Sequence, residues 1–202
     1  MAEMILRTSP TSPFGRKPRL AAAVLGLTER IEVVSADYFD ETDSLRMQNP
    51  LGKVPTLLLA DGTALYDSRV ILEYFDHLAG GGRLIPAEPP ARFAALKLQA
   101  IGDGILDAGV LRRLETLFRE APQRSERWLA HQAGKMSRAL DLLDAAPPSE
   151  SEILVGEIAV ACGLGFIDFR LGDDWRTGRS RLAGWFERFA DRCPGFDATA
   201  PR

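Results

Sequence analysis

Three consecutive glycines at positions 80–82, followed by Pro86, Pro89 and Pro90, divide this chain of 202 residues into two stretches with different hydrophobic periods. Glycine and proline at this density mark a connection rather than the interior of an element. Before the connection, short apolar runs alternate with helical spacing. After it, the spacing is helical throughout. The division predicts a small α/β domain over residues 1–79, a linker over 80–90 and an all-helical domain over 91–202. A phosphate-binding loop is the other use of clustered glycines, but no strand precedes these and no Lys-Ser pair follows them.

Within the first stretch, Met4-Ile5-Leu6 suits a strand. Residues 16–27 carry Leu20, Ala23, Val24 and Leu27 at spacings of three and four, which predicts a helix. The β-branched run Ile31–Ser35 reads as a second strand and 56–59 as a third. Asp61-Gly62 predicts a two-residue hairpin returning through 64–66. Ser68–Leu78 is a helix whose apolar face holds Ile71, Leu72 and Phe75. Beyond the linker, an apolar stripe from Phe93 to Phe118 gives one long helix. Further helices cover 125–143, the segment around 158–169, and 182–189. The most apolar segment, 153–169, is broken by Glu157 and Asp168, so it reads as a buried helix and not a membrane span.

The net charge of -3 is the wrong sign for gathering phosphates and argues against nucleic acid. Cys162 and Cys193 form neither a CxxC pair nor a metal cluster, and no metal is expected. Cys162 reads as a small buried hydrophobe. Cys193, just before Pro194, reads as partly exposed. Both fit a reducing compartment. The amino terminus lacks the apolar core of a signal peptide, so the expectation is a soluble cytoplasmic protein. His77 and His131 have no motif partners and read as structural. Arg16, Lys17 and Arg19 read as a solvated helix face. Asp103 and Asp107, one helical turn apart, would ordinarily do the same.

Two motifs carry chemistry. In Asn49-Pro50-Leu51-Gly52-Lys53-Val54-Pro55-Thr56, a proline stands just before a strand. It is either a plain turn or a cis bond presenting the Val54 backbone to a peptide ligand. Further along, Asp67-Ser68 opens a helix. These residues can cap it. The same geometry can bind an amino-acid head group, with the helix amino terminus and hydroxyl on the carboxylate and Asp67 on the ammonium.

Leu51-Gly52-Lys53-Val54-Pro55 followed by Asp67-Ser68 resembles the glutathione-binding signature of the cytosolic glutathione transferases. The segment 158–166 also resembles the core helix of their second domain. The resemblance spans roughly residues 4–190. It implies a thioredoxin-like α/β domain before an all-α domain. It also implies that Val54 pairs with the cysteinyl part of glutathione, that the Val54-Pro55 bond is cis, and that Asp67 and Ser68 hold the γ-glutamyl group. Lys53 would reach the glycyl carboxylate, and Phe14 would border the ligand. A homodimer is implied, with the helix from about residue 91 at its axis. Gly102, Gly104, Ala108 and Gly109 would permit close approach there, and Asp103 would reach the partner's γ-glutamyl ammonium. One departure concerns the core helix: Leu154 and Glu157 stand where the family has a Ser or Thr and an Asp. Losing that hydroxyl cap costs about 1 kcal/mol.

The thiol-contact position falls in Ser9-Pro10-Thr11-Ser12-Pro13-Phe14-Gly15. Ser12 is a good N-cap and Pro13 a good first helical residue. Ser12-Pro13-Phe14-Gly15 also resembles the Cys-Pro-aromatic-Cys of thiol-redox relatives with both sulfurs replaced. As the catalytic residue, Ser12 would donate to the glutathione sulfur at a positive helix end. A free thiol has a pKa of about 8.5, and lowering it by two units needs about 2.7 kcal/mol. Ser9 and Thr11 are alternative hydroxyls. The implied function is a transferase in which glutathione, as co-substrate, attacks a small hydrophobic electrophile in detoxification. Arg112, Arg113, Phe118, Phe166 and Trp175 are candidate walls for that electrophile. The alternatives are a non-enzymatic glutathione-binding or regulatory protein, or a glutathione-dependent thiol-disulfide oxidoreductase. The last needs an enzyme thiolate that Ser12 and Gly15 do not supply.

Overall fold

A computed structural model of the chain describes residues 3–37 and 39–201. Two compact units emerge: residues up to Arg92 together with those from Pro194 onward, and Phe93–Cys193. The last residues were expected with the helices but belong to the first unit.

The first unit is a thioredoxin-like mixed sheet with helices. Its strands are β1 (Met4–Thr8), β2 (Ile31–Ser35), β3 (Thr56–Leu58) and β4 (Ala64–Leu65), in the order β2-β1-β3-β4. β1 runs parallel to β2, with Met4 opposite Ile31 and Thr8 opposite Ser35. β3 is antiparallel to both β1 and β4. Helix α1 (Pro13–Leu25) makes the crossover between the parallel strands. It starts and ends earlier than the apolar spacing suggests. Pro13 is preset for the first helical position, and Gly26, at φ 73°, closes the helix in the left-handed region. The hairpin is also longer than expected. Leu59 N–H bonds Thr63 O at 2.9 Å, leaving a three-residue loop with Gly62 at φ 86°. A short helix, α2 (Leu45–Gln48), was not anticipated. Arg7 on β1 anchors it by bonding Asp43, Ser44 and Gln48. Helix α3 (Ser68–Leu78) follows β4, and its Ile71, Leu72 and Phe75 are buried as predicted.

The basic residues of α1 are not a solvated face. Lys17 is 0% exposed and Arg16 is also buried. The carboxy-terminal tail covers Arg16. The guanidinium donates to Phe196 O at 2.9 Å and lies 4.3 Å over the Phe196 ring. Arg19 donates to Ala198 O at 3.2 Å. A second chain reversal is held by Asp76, whose carboxylate accepts from Gly82 N, Arg83 N and Leu84 N at 2.6–2.9 Å. The glycine loop therefore does wrap an anion, but the anion is the protein's own.

The second unit is helical. It contains α4 (Pro89–Phe118) from Phe93 onward, α5 (Glu126–Ala145), α6 (Val155–Phe166), a π-helical turn over Ile167–Leu171, and α7 (Ser180–Arg192). The core is built around α6, of which every residue but Gly165 is buried. A Cβ on Gly102 would lie 2.5 Å from the Ala159 backbone, and one on Gly109 would lie 3.1 Å from the Phe166 ring. These two glycines thus serve packing within the unit. At the start of α6 the leucine side chain of Leu154 has no acceptor. Glu157 supplies the reciprocal half of a capping box by accepting Leu154 N–H at 3.1 Å. Burial pushes the Glu157 carboxyl above its usual range, against backbone hydrogen bonds that lower it. Cys162 is buried as expected. Cys193, expected to be partly exposed, is buried too. Among the described residues, no helix is long and apolar enough to cross a membrane.

Candidate functional site

Ser12 is the N-cap of α1. Its φ of -73° and ψ of 117° place it outside the helix, and its Oγ accepts Gly15 N–H at 3.0 Å. The Ser12 carbonyl accepts Arg16 N–H at 3.0 Å. Pro13 has no N–H, so the Phe14 amide is the remaining donor of the first turn. A hydroxyl carries one donor and two acceptor sites. Capping uses an acceptor and leaves the hydrogen, so the two readings of Ser12 are compatible. Ser12, Phe14 and Thr11 are all half-buried. Ser9 differs, because its Oγ is shielded from solvent and has no hydrogen-bond partner among the described residues.

Gly15 is a close-contact position. A Cβ there would lie 1.8 Å from Thr8 Oγ1 on β1. The second cysteine of a thiol-redox motif has no room beside Thr8, which accounts for the glycine in physical terms.

The Val54-Pro55 bond is cis, as the resemblance implies. It lies immediately before β3. The approach is set by Asn49, whose amide donates to Lys53 O at 2.9 Å and to Thr56 Oγ1 at 3.0 Å while its carbonyl accepts Leu51 N–H. Asn49 lies in the quoted motif, but its role was not foreseen. Pro55 is buried, Val54 half-buried and Lys53 exposed.

Asp67 is the N-cap of α3 and accepts Arg69 N–H at 2.9 Å with one oxygen; its side chain is exposed. The Tyr66-Asp67 bond is also cis. Ser68 follows at the first helical position and is 2% exposed. Its Oγ accepts from Lys17 Nζ at 3.1 Å. α1 and α3 pack together, and this contact joins them. Lys17 is the neighbour of Ser68 that sequence reasoning missed. The signal was present: 17, 20 and 21 lie on one helical face, and Leu20 and Ala21 are buried on it.

Ser12, Phe14, Lys53, Val54, Pro55, Asp67 and Ser68 all belong to the first unit. Asp103 belongs to the second and is 1% exposed. The carboxylate expected at an accessible helix surface is covered within the chain itself, whereas Asp107 is exposed. Of the candidate walls, Phe166 and Trp175 are core residues. Arg112 lines a cavity of about 380 Å³ with Thr116, Leu129 and Arg170, and it bonds both oxygens of Asp173.

Comparison with known proteins agrees with the geometry. Residues 11–78 match the family described as Glutathione S-transferase, N-terminal domain. The chain is 32% identical to the uncharacterized GST-like protein YibF of Escherichia coli K12, covering 98% of both chains. Among solved structures it resembles a glutathione transferase family member from Pseudomonas fluorescens Pf-5 with bound glutathione. That match has a TM-score of 0.92 and 38% identity over 98% of this chain and 99% of the other. It also resembles a glutathione S-transferase from Methylobacillus flagellatus KT with glutathione bound. Here the TM-score is 0.90 and identity 33%, over 98% of this chain and 100% of the other. With a relative above 30% identity along nearly its whole length, and with this fold, the chain belongs to the glutathione transferase family.

Proposed function

We propose that the protein binds glutathione and activates its thiol for attack on a small hydrophobic electrophile. The observation that carries this reading is the state of Ser12. Its acceptor side is held by Gly15 N–H, and its hydrogen is left to donate at the amino terminus of a 13-residue helix. A sulfur placed there receives a hydroxyl hydrogen bond and the positive end of the helix. Both stabilise the thiolate over the thiol. The thiol proton leaves to solvent, and the sulfur lone pair forms a C–S bond with the electrophilic carbon. The electrophile's leaving group departs, or in an addition the product takes a proton from water.

The remaining residues bind and orient. The Val54 backbone pairs with the cysteinyl part, and Asp67 and Ser68 hold the γ-glutamyl ammonium and carboxylate. Lys53, exposed beside them in sequence, meets the glycyl carboxylate, and Phe14 borders the ligand. Two relatives whose structures hold glutathione, at 38% and 33% identity, support this assignment of ligand. The same reading makes the chain a homodimer. Its support is apolar surface that a monomer leaves to water, above all Met47, Leu51 and Phe93.

Calorimetric titration with glutathione, followed by rates with a panel of reactive electrophiles, tests the proposal. Binding with turnover supports a transferase. Binding without turnover on any electrophile favours the non-enzymatic reading, and absence of binding removes both.

A further inference from the structure

We propose that Lys17 is a positioning residue for the γ-glutamyl carboxylate, making the start of α3 selective for ligands that carry a free carboxylate there. The inference rests on the reading that this chain binds glutathione. It starts from a buried charge. Lys17 is 0% exposed, and removing an ammonium from water is costly, so an apolar side chain would fill the same space between α1 and α3 more cheaply. The ammonium is held 3.1 Å from Ser68 Oγ.

That contact decides what Ser68 can do. An ammonium offers donors and no acceptor, so it takes a lone pair of the hydroxyl and cannot receive the hydroxyl hydrogen. Ser68 must then donate elsewhere. At the first position of α3, with Asp67 already occupying Arg69 N–H, the hydroxyl stands among the donors of a helix amino terminus. The positive charge of Lys17 lies one hydroxyl behind that point and adds to the potential of the helix end. A neutral residue at 17 that could accept would let Ser68 turn inward. Lys17 thus fixes the direction of the Ser68 hydrogen and the sign of the subsite without touching the ligand.

The test compares two ligands by calorimetry: glutathione, and 4-aminobutanoyl-cysteinylglycine, which keeps the ammonium but lacks the carboxylate. In the parent, glutathione should bind more tightly. Lys17→Met should weaken glutathione by about ten- to a hundredfold and leave the affinity for the analogue unchanged, so that the preference collapses. Adding Lys17→Met to Ser68→Ala should weaken glutathione further, through the lost charge, but by less than Lys17→Met does in the parent. Circular dichroism checks folding. If Lys17→Met does not fold, Lys17→Gln, which is neutral and still able to bond Ser68, should show the same ligand-selective loss. Equal weakening of both ligands in a folded variant would show a merely structural lysine and overturn the proposal. A parent that binds no glutathione would instead overturn the reading of the site, and this inference with it.

Discussion

Ser12 Oγ accepts Gly15 N–H at 3.0 Å, so a single hydroxyl closes the end of α1 and still holds a hydrogen to donate. Two substitutions separate these tasks. Ser12→Ala removes both and should cost about 1 kcal/mol of stability, whereas Ser12→Gly costs only a few tenths as a cap. Both lose the donor equally. The thiol of bound glutathione, followed by its ultraviolet thiolate absorbance against pH, should therefore shift upward by the same amount in the two variants. Their melting temperatures should differ. A parent-like thiolate in Ser12→Gly would assign activation to another donor, with Thr11 next in line because Ser9 Oγ is shielded.

Gly15 is required by Thr8. With 1.8 Å between a new Cβ and Thr8 Oγ1, Gly15→Ala forces α1 away from β1 and should destabilise by about 1–3 kcal/mol. Thr8→Ala removes the nearest atom but leaves the Thr8 Cβ at 3.0 Å, so the double variant should recover part of the loss and not all of it. Urea unfolding of the four proteins measures the coupling. Additive effects would mean that the helix end relaxes freely and that steric closeness does not explain the glycine.

The tail after Cys193 is predicted to stabilise the first unit. It supplies the carbonyls of Phe196 and Ala198 to Arg16 and Arg19, and Gly195, at φ 75°, meets Ala23 more closely than any Cβ would allow. A chain ending at Cys193 should lose about 1–3 kcal/mol, the scale of charge-assisted contacts left unmade. Gly195→Ala should also be destabilising, since it combines a left-handed backbone with a 2.6 Å contact. Unchanged thermal unfolding on truncation would show that water replaces the tail at no cost.

What could be read from the sequence was local. Pro13 after Ser12, Gly62 in the hairpin and Asp67-Ser68 at a helix start are choices made by neighbours in the chain, and the structure keeps them. What could not be read depends on partners far away in the sequence. Arg16 bonds a carbonyl 180 positions later, and Lys17 bonds a serine 51 positions later. Gly102 looked like a dimer contact because small residues permit any close approach; only the structure shows that the approaching backbone is that of Ala159. For Lys17, the helical period argued burial and the charge argued exposure. The period was the better guide, because Ser68 Oγ accepts from the ammonium.

The buried Glu157 carboxyl makes the stability of the chain depend on pH. Burial in the first turn of α6 raises its carboxyl pKa, with the Leu154 N–H and the charge of Arg192 opposing. A carboxyl whose pKa is higher in the folded chain stabilises fully below its unfolded value, about 4.3. That contribution is lost as pH rises through the folded value, because ionisation then favours the unfolded chain. Glu157→Gln stays neutral throughout and keeps an oxygen to accept Leu154 N–H. The variant should therefore be more stable than the parent at pH 8. Its advantage should shrink as the pH falls toward about 4, where the parent carboxyl is protonated in both states. Denaturant unfolding across that range reads the difference directly. If the parent instead gains on the variant as pH rises, the ionised carboxylate is stabilising, and its hydrogen bond at the head of α6 outweighs its burial.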